Sequence, residues 1–238
     1  MLIVKNLQKS YGKRMIIKDV SFEIKKGEVF AILGPNGAGK TTSFYMIFGI
    51  VKPDSGTITL DGHDITNIPM HLRAKIGIGY LPQEASIFQG LSVEDNILCV
   101  LENFVENENE RIEKLNLLIS DFNLEKVRKS ISISLSGGER RRLEIARLLA
   151  SDPSYILLDE PFAGVDPVSV GEVIEIIRNL ANRNIGVVIT DHNAREIMKS
   201  SDKICVIYDG SVLINGTKEE VMANKIVREV YLGSDFRV

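Results

Sequence analysis

Residues 34–42 read Gly34-Pro35-Asn36-Gly37-Ala38-Gly39-Lys40-Thr41-Thr42, and their reading decides the fold. The apolar run Val29-Phe30-Ala31-Ile32-Leu33 precedes them, and Phe44, Ile47 and Phe48 follow at helical spacing. The chain is therefore expected to pass from a strand through a glycine loop into a helix. Glycines let backbone N–H groups converge on phosphate oxygens where a Cβ would obstruct them. A helix starting at about Lys40 turns the positive end of its dipole to the same point. Lys40 supplies a point charge for β- and γ-phosphates, and the Thr41 hydroxyl is a ligand for Mg²⁺. A glycine-rich turn with an incidental lysine is the bland alternative, and the complete G-x-x-x-x-G-K-T between strand and helix argues against it. The stretch implies a nucleoside triphosphate site.

The 238-residue chain is 44% hydrophobic and 26% charged, enough to bury a sizeable core as one large domain or a core with an inserted subdomain. With 29 basic and 32 acidic residues its formal charge is −3, so it has no bulk positive charge for nucleic acid and none is expected as a partner. Cys99 and Cys205 make neither a metal spacing nor a disulfide framework, which points to a reducing compartment. Met1–Lys5 is a short strand-like run without the features of a signal peptide. No stretch nears the roughly 18 apolar residues of a membrane span, so any membrane role runs through a partner.

Up to Leu33 the chain reads as short strands, with Val20, Phe22 and Ile24 alternating with polar neighbours. Thr57–Leu60, Asp61-Gly62 and His63–Ile65 form a hairpin signal, because Asp-Gly suits a type I′ turn. These strands imply a small antiparallel sheet beside the nucleotide-binding core. Tyr11 either stacks on an adenine face or lies half-buried on a strand, and its spacing leaves both open. Ile76–Leu81 is a strand ended by Pro82, presenting Gln83 at its tip, where an amide ligates Mg²⁺ or orients a water.

From Glu84 to about Ile133 the pattern turns helical, with a capping box at Ser92 and Asp95 and apolar spacing at Leu115, Leu118, Ile119 and Phe122. Glu106–Glu110 is a solvated loop or a helix start. Leu135-Ser136-Gly137-Gly138-Glu139 then opens a helix to about Ala150, with Ser136 as N-cap and the amides of Gly137 and Gly138 bare. This is a second anion site, on the helical part. Arg140–Arg142 read as a solvated or interface face. Tyr155–Glu160 is an apolar strand ending in two carboxylates that alternation aims apart, Asp159 toward Mg²⁺ and Glu160 toward an attacking water as general base. Asp166-Pro167 starts a further helix, and Val187–Thr190 is a buried strand ending at Asp191-His192, where His192 would contact the γ-phosphate. Cys205–Tyr208 and Ser211–Ile214 close a hairpin through Asp209-Gly210, and Thr217 and Glu220 cap a short helix.

The phosphate loop, Gln83, Leu-Ser-Gly-Gly, Asp159-Glu160, Asp166 and His192, in this order, resemble an ATP-binding cassette (ABC) ATPase subunit over essentially the whole chain. The Leu-Ser-Gly-Gly signature is the specific element. The resemblance implies an α/β fold, a P-loop NTPase (RecA-like) core with an antiparallel β subdomain and an inserted α-helical subdomain. The chain then divides as 1–84 and 151–238 for the core and 85–150 for the signature subdomain. It also implies a homodimer or a heterodimer of cassettes packed head to tail. Ser136, Gly137 and Gly138 of one would then serve the ATP and Mg²⁺ held by the other.

Tyr80–Phe88, Leu158–Pro167, Thr190–Asn193 and the tail Tyr231–Arg237 narrow the resemblance to the cytoplasmic ATPases of Gram-negative lipopolysaccharide exporters. Such a subunit sits peripherally on the inner membrane, and its Gln83 and Phe88 region meets two integral membrane permease subunits. Those ATPases carry basic residues after Phe88, whereas this chain has Gln89-Gly90, a departure that bears on the partner contact and not on the ATP chemistry. Branched-chain amino-acid importers, which share that chemistry, are the second reading. A soluble cassette protein of translation or DNA repair is the third, and the chain lacks the second cassette or coiled coil of those types.

Overall fold

The computed structural model describes residues 1–84, 86–165 and 170–233. In chain order its elements are β1 (Leu2–Tyr11), β2 (Arg14–Ile24), β3 (Val29–Leu33), α1 (Lys40–Phe48), β4 (Ser55–Leu60), β5 (His63–Asp64), α2 (Met70–Lys75) and β6 (Ile78–Leu81). There follow α3 (Val93–Phe104), α4 (Glu108–Asp121), α5 (Gly137–Leu149), β7 (Tyr155–Asp159), α6 (Val170–Asn182), β8 (Gly186–Thr190) and α7 (Ala194–Ser200). The chain closes with β9 (Lys203–Tyr208), β10 (Ser211–Gly216), α8 (Lys218–Ala223) and α9 (Lys225–Val227).

The strands run in the order β5-β4-β1-β2-β10-β9-β3-β8-β7-β6. One end is antiparallel and the other, β9-β3-β8-β7-β6, is parallel. The two meet at a single parallel pairing, Ser211 with Asp19. Every residue of β3, β7 and β8 is buried, as befits parallel strands covered on both faces. Pleat alternation then divides the core in two. Val29, Ala31 and Leu33 face a cluster with Ile97, Leu143 and Ile177 from α3, α5 and α6. Phe30 and Ile32 face a cluster with Phe44 and Ile47 of α1 and the antiparallel strands.

Both Asp-Gly hairpins form as the sequence implies, with positive φ at Asp61, Gly62, Asp209 and Gly210. The strand expected from Ile76 begins at Ile78, and the preceding α2 was not foreseen. Asp166-Pro167 lies outside the described residues. Among the described residues no helix is long and apolar enough to cross a membrane.

The helical pattern expected from Glu84 begins only at Val93. Its apolar spacing is misleading because Asn96, fully buried, replaces helix bonds with its own amide. Asn96 Oδ1 accepts the Phe88 N–H at 2.8 Å, and its Nδ2 donates to the Phe88 and Ser92 carbonyls and to Ser132 Oγ. Ser92 caps α3, but the Asp95 carboxylate takes the Ser92 hydroxyl rather than its backbone N–H. Arg140–Arg142 are half-buried rather than solvated, and each keeps its Nε out of water.

Arg73 fixes the base of α1. It is 1% exposed and donates at 2.5–2.9 Å to the carbonyls of Met46, Ile47, Thr66 and Ile68. Two of these end α1, where a cation complements the helix dipole. Burial pulls the Arg73 guanidinium down to about 10, and Asp64 offsets this in part. Arg73→Met leaves buried carbonyls unpaired and is expected to cost about 3 kcal/mol. A thermal melt should fall by roughly 10 °C, with Arg73→Lys recovering part of the loss.

Candidate active site

The parallel strands β3, β8, β7 and β6 end in register, with Ile32 beside Thr190, Asp159 beside Thr190 and Leu81 beside Leu158. Their tips deliver the candidate residues to one edge of the sheet, where open α/β folds bind ligands. From β3 comes the phosphate loop. A Cβ at Gly34, where φ is 149°, would collide with the Ile207 carbonyl oxygen, and one at Gly39, where φ is 106°, with the Ile17 side chain. No side chain caps α1, so its first amides stay available to an anion. Ala38, Gly39 and Lys40 are buried, Pro35 and Thr42 half-buried, and Asn36, Gly37 and Thr41 exposed.

Lys40 Nζ donates to the carbonyls of Gly34 at 2.8 Å and Pro35 at 3.1 Å, which holds the ammonium inside the loop. Burial lowers its pKa, while Glu160, Asp159 and Asp191 pull it back up. The same burial raises Asp159, whose Oδ2 accepts the Tyr80 hydroxyl at 3.1 Å.

Asp159 and Glu160 do have different surroundings, but not through pleat alternation. Strand β7 stops at Asp159, and Glu160 turns away with φ of 47° while its N–H bonds the Thr190 carbonyl at 2.7 Å. His192 lies past the strand end on an exposed turn, with Nδ1 at 3.5 Å from both Glu160 Oε2 and Asp191 Oδ1. Gln83, two residues beyond β6, is exposed. It shares a cavity of about 250 Å³ with Glu160, Gly137 and Gly138. Tyr11 is 51% exposed at the end of β1, with Lys9 Nζ 5.8 Å from its ring centroid, so it is not the half-buried strand tyrosine.

Ser136 caps α5 in a full capping box, its hydroxyl donating to Glu139 Oε2 at 2.6 Å. A Cβ at Gly137 would meet nothing within 4 Å, and one at Gly138 only Arg142 Nη1 at 3.6 Å. Packing within the chain does not demand either glycine.

Three neighbours of the site escaped sequence reading. Asp191 is fully buried and accepts the N–H groups of Phe162 at 2.9 Å and Asn193 at 2.8 Å, binding the loop after Glu160 to the turn that carries His192. Tyr80 reaches Asp159, and Tyr231 is pushed up to about 12 by burial and the Asp191 carboxylate. A polar residue directly after an apolar strand was the only signal for Asp191.

The profile of the ABC transporter family matches residues 17–163. The chain is an ABC-family ATPase. The cassette is 57% identical to a probable ABC transporter ATP-binding protein of Azorhizobium caulinodans, over 98% of this chain and 83% of that one. It is 50% identical to the lipopolysaccharide export system ATP-binding protein LptB of Escherichia coli K12, over 100% of this chain and 99% of the relative. In structure it matches an ATP-binding cassette of an ABC transporter in its ADP conformation, with TM-score 0.87, 26% identity and coverage of 98% and 99%. A dimeric cassette bound to ADP and Pi also matches, with TM-score 0.77, 26% identity and coverage of 92% and 99%.

Two outcomes are expected of this site. Replacing Asp159 with Asn removes a buried charge that burial disfavours. Without nucleotide at pH 7 the variant should melt above the wild type. Because the folded-state pKa of Asp159 is raised, that gain should shrink as pH falls and the carboxyl protonates in the wild type. A gain unchanged by pH would contradict the assignment. Glu160→Gln should lower steady-state turnover about 10²-fold or more with ATP affinity retained, measured by phosphate release and equilibrium binding.

Proposed function

We propose that this cassette is the ATP-hydrolysing subunit that powers lipopolysaccharide export. The observation that carries the reading is 50% identity to LptB proteins from end to end of both chains. The more similar Azorhizobium and Rhizobium relatives bear names without a substrate. The substrate path lies in membrane subunits, so the site itself accounts for the ATP chemistry alone.

In that chemistry the loop amides of residues 34–42 and the Lys40 ammonium neutralise the β- and γ-phosphates, and Tyr11 offers the adenine an exposed ring face. Glu160 takes the proton of the attacking water as its oxygen bonds to the γ-phosphorus and the bond to the β-phosphate oxygen breaks. His192, at 3.5 Å from Glu160, orients that carboxylate and contacts the γ-phosphate. The hydroxyl of Thr41, the amide of Gln83 and the carboxylate of Asp159 form a hard oxygen donor set that fits Mg²⁺, which binds few protein ligands and shares phosphate oxygens with its substrate. When bound, the cation would neutralise charge on the transferring group.

Ser136, Gly137 and Gly138 serve the nucleotide of a second copy. The open space above both glycines supports this, because the bare amides need room for an approaching chain. The cassette binds two permease subunits around Gln83 and Phe88, the latter 53% exposed, and through them lies on the inner membrane. Residues 85–150 act as the signature subdomain within a single cassette.

Two measurements test this reading. Mixing inactive Lys40→Ala and Ser136→Arg chains should restore up to about one quarter of wild-type activity, since a random mixed dimer keeps one intact composite site. No recovery would remove the shared site. Tagged Glu160→Gln purified with ATP from native membranes should bring two permeases of the lipopolysaccharide exporter. An amino-acid importer permease in their place would overturn the substrate.

A further inference from the structure

The segment Ser86–Phe88 lies between the candidate Mg²⁺ ligand Gln83 and the exposed partner-facing ring of Phe88. Two helices hold it. From α3, Asn96 pairs with both the N–H and the carbonyl of Phe88. From α5, Glu144 Oε1 accepts the Ser86 N–H at 3.2 Å, while its Oε2 accepts from Arg141 Nη1 at 3.2 Å. One turn further along, Arg147 Nη2 donates to Ser86 Oγ at 3.1 Å, and its guanidinium stands 5.1 Å from the Phe88 ring centroid.

Glu144 is only 5% exposed, a carboxylate that burial would penalise unless it were paired. Arg141 supplies that pairing. The second oxygen is occupied by a backbone amide 58 residues away, which neutralising the charge does not require. Glu144 is also the wall between two cavities. The first, of about 250 Å³, reaches Gln83, Glu160 and Gly138; the second, of about 220 Å³, reaches Phe48, Ser86 and Phe104. The side chain thus stands between the nucleotide end of α5 and the face that meets the membrane subunits.

We propose that Glu144 is a positioning residue that locks Ser86–Phe88 to the signature helix, so that movement of Gly137–Gly138 on nucleotide engagement is passed to Phe88 and back. A helix is stiff along its axis, and the Glu144–Ser86 bond lies two turns from its N-terminus. The reading of Phe88 as the partner contact, given above, underlies the second half of this proposal and not the first.

The first half is tested in the isolated full chain by hydrogen exchange at amides 86–88, with and without ATP. In the wild type, ATP should change the exchange rate at Ser86. In Glu144→Ala, exchange there should rise about tenfold and lose its dependence on ATP. Glu144→Gln keeps an acceptor for the Ser86 N–H and should keep the response. A wild type without the response, or a Glu144→Ala chain that retains it, overturns the lock.

The second half is tested in the purified complex with its membrane subunits. Glu144→Ala should lower lipopolysaccharide moved per ATP hydrolysed at least about fivefold while turnover of the isolated chain stays within about twofold. A parallel loss in both, or an unchanged ratio, overturns the coupling. Failure to capture any permease with Glu160→Gln would instead strike the partner reading, and the exchange result would stand apart from it.

Discussion

One ammonium and three carboxylates meet at the tips of parallel strands in a place that water barely reaches. Lys40 is 9% exposed, Asp159 6% and Asp191 not at all, with Glu160 beside them. Bringing these charges together is unfavourable for each alone, and both Lys40 and Asp159 are displaced toward their neutral forms by burial. The register of β3, β8 and β7 imposes the meeting regardless, because each strand is buried along its whole length and cannot slide without exposing its side chains. A polyphosphate completes the arrangement by adding negative charge around Lys40, and a divalent cation does so beside Asp159. The apoprotein carries electrostatic tension that its substrate relieves.

Rigidity around this cluster comes from backbone amides more than from side-chain pairs. Asp191 ties the loop after Glu160 to the turn of His192 through two N–H groups, and Arg73 secures the far end of α1 through four carbonyls. Such bonds survive substitution of the residues that supply the amide or carbonyl, so precise geometry rests on few side chains. At the surface the ion pairs are solvent-exposed, Lys18 with Asp209 and Arg178 with Asp202 among them, and contribute little.

Much of this was legible in the sequence because the decisive residues follow apolar runs. Leu33, Leu158 and Thr190 each end such a run, and the polar residue after each marks a strand tip. The capping boxes at Ser136 and Thr217 were equally local, and both formed. Contacts between distant segments could not be read. Asp191 holds an amide 29 residues away, Arg73 reaches back 27 residues, and Asn96 unmakes a helix that the spacing around Ile87 and Leu91 implied. The strand expected from Ile76 gives way to α2 because six residues are too few to show a helical period. The separation of Asp159 from Glu160 was expected for the wrong reason, since a left-handed residue does what alternation was assigned to do.

The division of the core by the pleat carries a consequence for descent. Ile87, Val93 and Ile97, beneath the partner-facing segment, pack in one cluster, while Ala38, Phe44 and Ile47, beneath the phosphate loop, pack in the other. The sheet stands between them as a bulkhead. A lineage that adapts the first side to a new membrane partner need not retune the second, so Gln89-Gly90 can drift while the phosphate loop stays intact. Evolvability here is a property of which way alternate side chains point.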